Sequence, residues 1–167
     1  STLAETLTSL LAQTYQNFEI VVVDDGSSDD TLHIAQSFAI DPKLRIVRQP
    51  NRGLAGARNT GIASAKGAYI GFCEADDIWE PHKLAAHVRH LEADPFVGVS
   101  YAGSRLMHDD GRPMKKAQQP RLTGVDAAHI FKRNPVGYGP APILRAQVFD
   151  SLAYRPQHVT TRDWYYD

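Results

Sequence analysis

Apolar, β-branched runs alternate with segments of helical period along the first hundred residues of this chain, and that order constrains its fold more than any other feature. FEIVVV (18–23), LRIVRQ (44–49), AYIGFC (68–73) and FVGVSYAG (96–103) read as strands. The first is continuous enough to predict a strand buried on both faces. TLAETLTSLLAQT (2–14) carries Leu3, Leu7, Leu10 and Leu11 at helical spacing. DDGSSDDT supplies Ser and Asp caps for a helix over about 30–39. PNRGLAG reads as a turn-rich loop, followed by a short helix over ARNTGIASAKG (57–67) that ends at Gly67. PHKLAAHVRHLEADP predicts a helix from Pro81 to about Asp94. Strand–helix alternation of this kind argues for an α/β layer fold with a mainly parallel central sheet flanked by helices. With 167 residues the chain is sized for one domain.

Beyond Tyr101 the pattern loosens. RLMHDDGRPMKK predicts a hairpin around Asp110 and Gly111. TGVDAAHIFKR (123–133) and RAQVFDSL (145–152) read as helices. His82, His87 and His90 are expected on the solvent side of the 81–94 helix, and Arg121, Lys115 and Lys116 in a decorated loop.

The acids raise a question that the alternation answers. GFCEADDIWEP puts Glu74, Asp76, Asp77 and Glu80 directly after an apolar run, although like charges so close repel and resist burial. Eight of the 19 acids fall in two stretches, 24–30 and 74–80. Asp24 and Asp25 end one strand, and Glu74 and Asp76 follow another. In open α/β sheets ligands bind beyond the carboxyl ends of the strands, so both groups land on one rim. Carboxylate clusters converging without matching lysines suit a hard divalent cation, Mg²⁺ or Mn²⁺, which turns repulsion into coordination. Such an ion commonly bridges carboxylates to substrate phosphates. NRGLAGARN fits an anion on the same rim, with Gly53, Gly56, Arg52 and Arg58 leading into a helix N-terminus. The net charge of −1 gives no basic field for nucleic acid. The lone cysteine, Cys73, permits no internal disulfide and fits a reducing compartment. No apolar run approaches the roughly 20 residues that span a bilayer.

The ordered set VVVDDGSSDDT, NRGLAGARNTGIASAKGAYIGF, EADDIWEPHKL and NPVGYGPAPILRAQVF resembles the family 2 glycosyltransferases over nearly the whole chain. The resemblance implies the GT-A fold. It implies transfer of a sugar from a nucleotide-diphosphate sugar, usually a UDP-sugar, to an acceptor hydroxyl with inversion at the anomeric carbon. By the same resemblance Asp25, with Asp24 beside it, contacts the nucleotide base, and Arg58 of the ARN segment lies near the diphosphate. Glu74-Ala75-Asp76 stands at the DxD motif, where Asp76 with Glu74 holds the Mn²⁺ or Mg²⁺ ion. Trp79 and Pro81 complete the family's DDIWxP pattern. RDWYYD resembles the segment that carries the catalytic base, which assigns that part to Asp163. The implied partners are a nucleotide-sugar donor and a carbohydrate or glycolipid acceptor. The implied location is cytoplasmic, extending to peripheral association with the cytoplasmic face of a membrane.

Two positions depart from the family pattern: Glu74 replaces the first Asp of DxD, and Arg162 stands where Glu is frequent. Family members also open with a strand that this chain lacks at its start. The expectation is therefore one catalytic domain cut at both ends, with a nucleotide-binding part over about 1–101 and an acceptor-side part over about 102–167. Two alternatives stand beside a transferase: a nucleotide-sugar-binding module without turnover, and a nucleotidyltransferase.

Overall fold

The structure, a computed structural model, describes residues 2–108, 110–118 and 142–150. The helix read over 123–133 and the 162–167 segment with Asp163 lie outside the described residues.

The elements run α1 (Thr2–Leu11), β1 (Ile20–Asp24), α2 (Thr31–Phe38), β2 (Leu44–Arg48), α3 (Gly53–Ser64), β3 (Tyr69–Gly71) and α4 (Lys83–Ala93). They continue with β4 (Val99–Ser100), β5 (Ser104–Met107), β6 (Pro113–Gln118), β7 (Ile143–Arg145) and a 3-10 turn at Ala146–Asp150. β1 and β2 pair in parallel from Ile20↔Leu44 to Asp24↔Arg48, as the crossover through α2 requires. β3 and β4 both pair with β7, which runs antiparallel to each. This antiparallel insertion is absent from the sequence expectation; the helix read over 145–152 corresponds to the 3-10 turn at Ala146–Asp150 that follows it. The hairpin at Asp110 and Gly111 forms between β5 and β6, with Gly111 at φ +79°.

Two apolar clusters build the interior. Leu3, Leu7, Ile20, Ala35 and Leu44 join α1 to the parallel pair, while Trp79, Leu91 and Ile143 join α4 to the antiparallel set. Leu10 of α1 packs against both. Gly71 permits the close approach of β3 to β7: a Cβ there would sit 2.3 Å from Ile143 Cδ1 and 3.0 Å from Trp79 Cη2.

A polar strap ties α1 to the segment after the acids. Gln13 is 1% exposed, too costly a burial for an amide without partners. Its Nε2 donates to Glu80 O at 2.9 Å, and its Oε1 accepts from Leu84 N–H at 3.0 Å. Trp79 N–H donates to Ser9 Oγ at 3.1 Å. On the other side of α4, Arg145 donates through Nε to Val97 O at 2.8 Å and through Nη2 to Leu91 O and Asp94 O. It thereby satisfies carbonyls at the helix end that have no intrahelical partner.

One histidine is not where the sequence put it. His82 and His90 are exposed as expected, but His87 is 4% exposed, on the stripe with Val88 and Leu91. His87 Nδ1 and His90 Nδ1 each lie 2.8 Å from Ser100 Oγ. A hydroxyl has one proton, so one ring accepts it while the other donates an N–H. Burial, then Lys83 and His90, push His87 down from 6.5 to about 4. The unfolded ring takes a proton at a pH where the folded ring refuses it. Stability present above pH 6.5 is therefore lost as pH falls toward about 4. The urea midpoint is expected to drop across that window, and a His87→Gln variant to show a shallower drop; equal slopes would remove His87 from the acid sensitivity.

Candidate functional site

β1 ends on a turn locked by Asp24. That residue is 2% exposed; its Oδ1 accepts from Ser27 N–H at 3.0 Å and its Oδ2 from Arg48 Nε at 3.2 Å. These bonds, Ser27 first, hold its carboxyl below the ordinary range despite burial. Asp24 thus holds the strand end and the turn, whereas the sequence grouped it with Asp25 at the nucleotide. Gly26 makes the turn possible at φ +80°, since a Cβ there would meet Asn51 N at 3.0 Å.

Asp25 is half-buried beside it. Its Oδ1 accepts from Gln49 Nε2 at 2.5 Å and from Arg52 N–H at 2.9 Å. The segment Gly53–Gly56, expected as loop, is the first turn of α3. Asn51 Oδ1 accepts from Gly53 N–H at 3.1 Å, which helps start the helix early. Gly56 is needed for packing inside that turn: a Cβ there would lie 2.5 Å from Arg52 Cβ.

The second acid group follows β3. Glu74, Asp76 and Asp77 each offer a carboxylate oxygen within 4.8 Å of the others, with Glu74 and Asp76 exposed. Asp77 N–H donates to Glu74 O at 3.2 Å, which curls the segment so that its acids converge. Asp77 Oδ2 is buried and has no hydrogen-bond partner among the described residues. Burial, then Glu74 and Asp76, raise the Asp77 carboxyl. An orphaned carboxylate oxygen beside two more carboxylates fits a divalent cation with oxygen ligands. Asp77 is the member of this set that the sequence reading left out; the signal available was its place next to Asp76.

The surroundings favour oxygen ligation. Burial, then Asp77, pushes the Cys73 thiol up to about 12 and so disfavours a thiolate. Burial lowers Lys83 to about 8, and its Nζ lies 4.7 Å from the centre of the Trp79 ring. Trp79 is therefore a core anchor under the acid segment.

α3 connects the two acid groups. Its start touches Asp25 through Arg52 N–H, and its Arg58 donates through Nη2 to Glu74 Oε1 at 3.0 Å. The Arg58 guanidinium also lies 5.5 Å from the Phe72 ring centre. The structure therefore brings together Arg58, Glu74 and Asp76, and places Asp25 against the residue that starts the same helix. The sequence reading missed Gln13 and Gln49 as well. For Gln13 the available signal was a polar residue continuing the Leu7–Leu10 face of α1. Among the described residues no helix is long and apolar enough to cross a membrane.

Known proteins resemble this chain in sequence and in fold. The family described as Glycosyl transferase family 2 matches residues 1–152. An uncharacterized glycosyltransferase of Rickettsia felis is 30% identical over 79% of this chain and 22% of its own length. Chondroitin synthase of Escherichia coli is 30% identical over 74% of this chain and 19% of its own length. The chain thus spans less than a quarter of either relative. Among solved structures, residues 1–349 of S. aureus TarS superpose with a TM-score of 0.74 at 22% identity, covering 98% of this chain and 49% of that one. The mannosyltransferase PcManGT of Pyrobaculum calidifontis, in complex with GDP-Man and Mn²⁺, gives 0.70 at 25% identity over 93% of this chain and 44% of that one. With its motifs in family order on a GT-A sheet, the chain belongs to glycosyl transferase family 2.

Proposed function

We propose that this chain is the catalytic domain of a metal-dependent, inverting glycosyltransferase that moves a sugar from a UDP-sugar to an acceptor hydroxyl. One observation carries this: a single helix, α3, touches both the strand-end Asp25 and the convergent acids of the Glu74–Asp77 segment. This supports a base contact at Asp25 and a diphosphate–metal contact at the acids. Support for a nucleotide-sugar donor comes from TarS, also solved with UDP and with UDP-GlcNAc.

In this reading Asp25 accepts from the base, and Arg58 lies near the diphosphate. Asp76, with Asp77 and Glu74, holds Mn²⁺ or Mg²⁺. The bound ion supplies Lewis acidity that stabilises charge on the departing diphosphate. Asp163 takes the acceptor hydroxyl proton as the new bond to the anomeric carbon forms and the bond to the diphosphate breaks. Attack from the face opposite the leaving group inverts that carbon. The acceptor is a carbohydrate or glycolipid, met in the cytoplasm or at the cytoplasmic face of a membrane.

A second reading, a nucleotide-sugar-binding module without turnover, is favoured by the engagement of Glu74 with Arg58. It predicts binding without sugar transfer. The test of the site itself is a thermal-shift panel of UDP, GDP and CMP, each with Mn²⁺ and with chelator. A ligand near 100 times its Kd adds about 2.7 kcal/mol, equivalent to several degrees in a domain of this size. The expected outcome is a shift with UDP plus Mn²⁺ that chelator removes. No shift with any nucleotide would overturn the reading.

A further inference from the structure

We propose that Gln49 is a positioning residue for base selection, acting through Asp25; this rests on Asp25 as the base contact. Gln49 follows directly on β2, and its N–H donates to Asp24 O at 3.0 Å, which fixes its backbone to the end of β1. Its side chain is held at both ends. Nε2 donates to Asp25 Oδ1 at 2.5 Å, and Oε1 accepts from Thr60 Oγ1, on α3, at 2.5 Å. A carboxylate only accepts hydrogen bonds, so the amide nitrogen must face Asp25 and the amide oxygen is left for the Thr60 hydroxyl. The relay therefore has one sense, from Thr60 through Gln49 to Asp25.

Its effect is to divide the two oxygens of Asp25. Oδ1 receives two donors, Gln49 Nε2 and Arg52 N–H, while Oδ2 has no partner among the described residues. One open carboxylate oxygen matches the edge of uracil, which offers one N–H between two carbonyls. A second oxygen turned toward that edge would face a carbonyl and repel it. The edge of guanine offers two adjacent donors and suits both carboxylate oxygens together. Cytosine offers an acceptor where uracil has its N–H. By tying Oδ1 back, Gln49 favours uracil over the other two bases.

The test measures Kd for UDP and GDP with Mn²⁺ by calorimetry, in the unaltered protein and in Gln49→Leu, Thr60→Val and Thr60→Ser. The unaltered protein is expected to prefer UDP. Gln49→Leu leaves Oδ1 with the Arg52 N–H alone and loosens the carboxylate, which weakens UDP and narrows the UDP/GDP ratio by about tenfold, the scale of one hydrogen bond to a charged group. Thr60→Val, one bond further from Asp25, moves the ratio the same way by less; Thr60→Ser keeps the hydroxyl and the ratio. Thr60→Val also reads the coupling should Gln49→Leu not fold. A purely structural role would weaken both nucleotides alike and leave the ratio still. UDP binding retained with an unchanged ratio in Gln49→Leu and Thr60→Val overturns the Gln49 assignment alone. No metal-dependent nucleotide binding by the unaltered protein overturns the donor site, and this assignment with it.

Discussion

Asp76→Ala is expected to abolish metal-dependent nucleotide binding while leaving the protein folded. Asp76 is exposed, and its carboxylate converges with those of Glu74 and Asp77. Losing a direct ligand should weaken metal affinity by more than the 10- to 100-fold typical of a lost supporting contact, so roughly 100-fold or more. Removing one of three neighbouring negative charges also relieves repulsion, so the melting temperature without metal should hold or rise. That combination separates a lost ligand from a damaged fold. The measurement is UDP affinity with Mn²⁺ and with chelator, beside a melting curve. UDP binding that still responds fully to Mn²⁺ in the variant would take Asp76 out of the metal set.

Asp163→Asn carries the second large effect. Asparagine keeps the shape and hydrogen-bonding reach of aspartate but cannot take up a proton at neutral pH. Transfer should fall by roughly two or more orders of magnitude, the usual contribution of a general base. UDP binding should be unchanged, since the assignment gives Asp163 to the acceptor and not to the donor. Product formation from a radiolabelled donor, followed beside donor affinity, distinguishes the two. Transfer at the unaltered rate would pass the base to another residue. Weakened donor binding would place Asp163 on the donor side of the site.

The parts legible in the sequence were those with strong local periodicity. FEIVVV and LRIVRQ became a parallel pair because β-branched runs of that length have few other ways to bury themselves. The Leu stripe of α1 and the Asp-Gly hairpin followed local rules in the same way. The place of the acids was legible from the apolar runs before them: Asp24 ends β1, and Glu74, Asp76 and Asp77 converge after β3. What escaped depended on distant partners. β7 has three residues, and only pairing with β3 and β4 makes it a strand. The first turn of α3 contains Gly53 and Gly56, which read as loop until Arg52 is seen packed where a Cβ on Gly56 would stand. His87 looked exposed because no local rule supplies Ser100. Gln13 and Gln49 are polar residues whose value lies wholly in partners brought by the fold.

The Gln13 strap has a bearing on the order in which this molecule assembles. β1 and β2 pair across the α2 crossover, with Ile20 opposite Leu44 only 24 positions on, and can close early. Gln13 reaches Glu80 across 67 positions, and Leu84 reaches back across 71, while Ser9 and Trp79 are 70 apart. Closing loops of that length costs more chain entropy, and such contacts slow folding. During synthesis α1 leaves the ribosome with its strap unmade and waits until residue 84 has followed. The strap beneath the acid segment is therefore expected to close after the parallel pair.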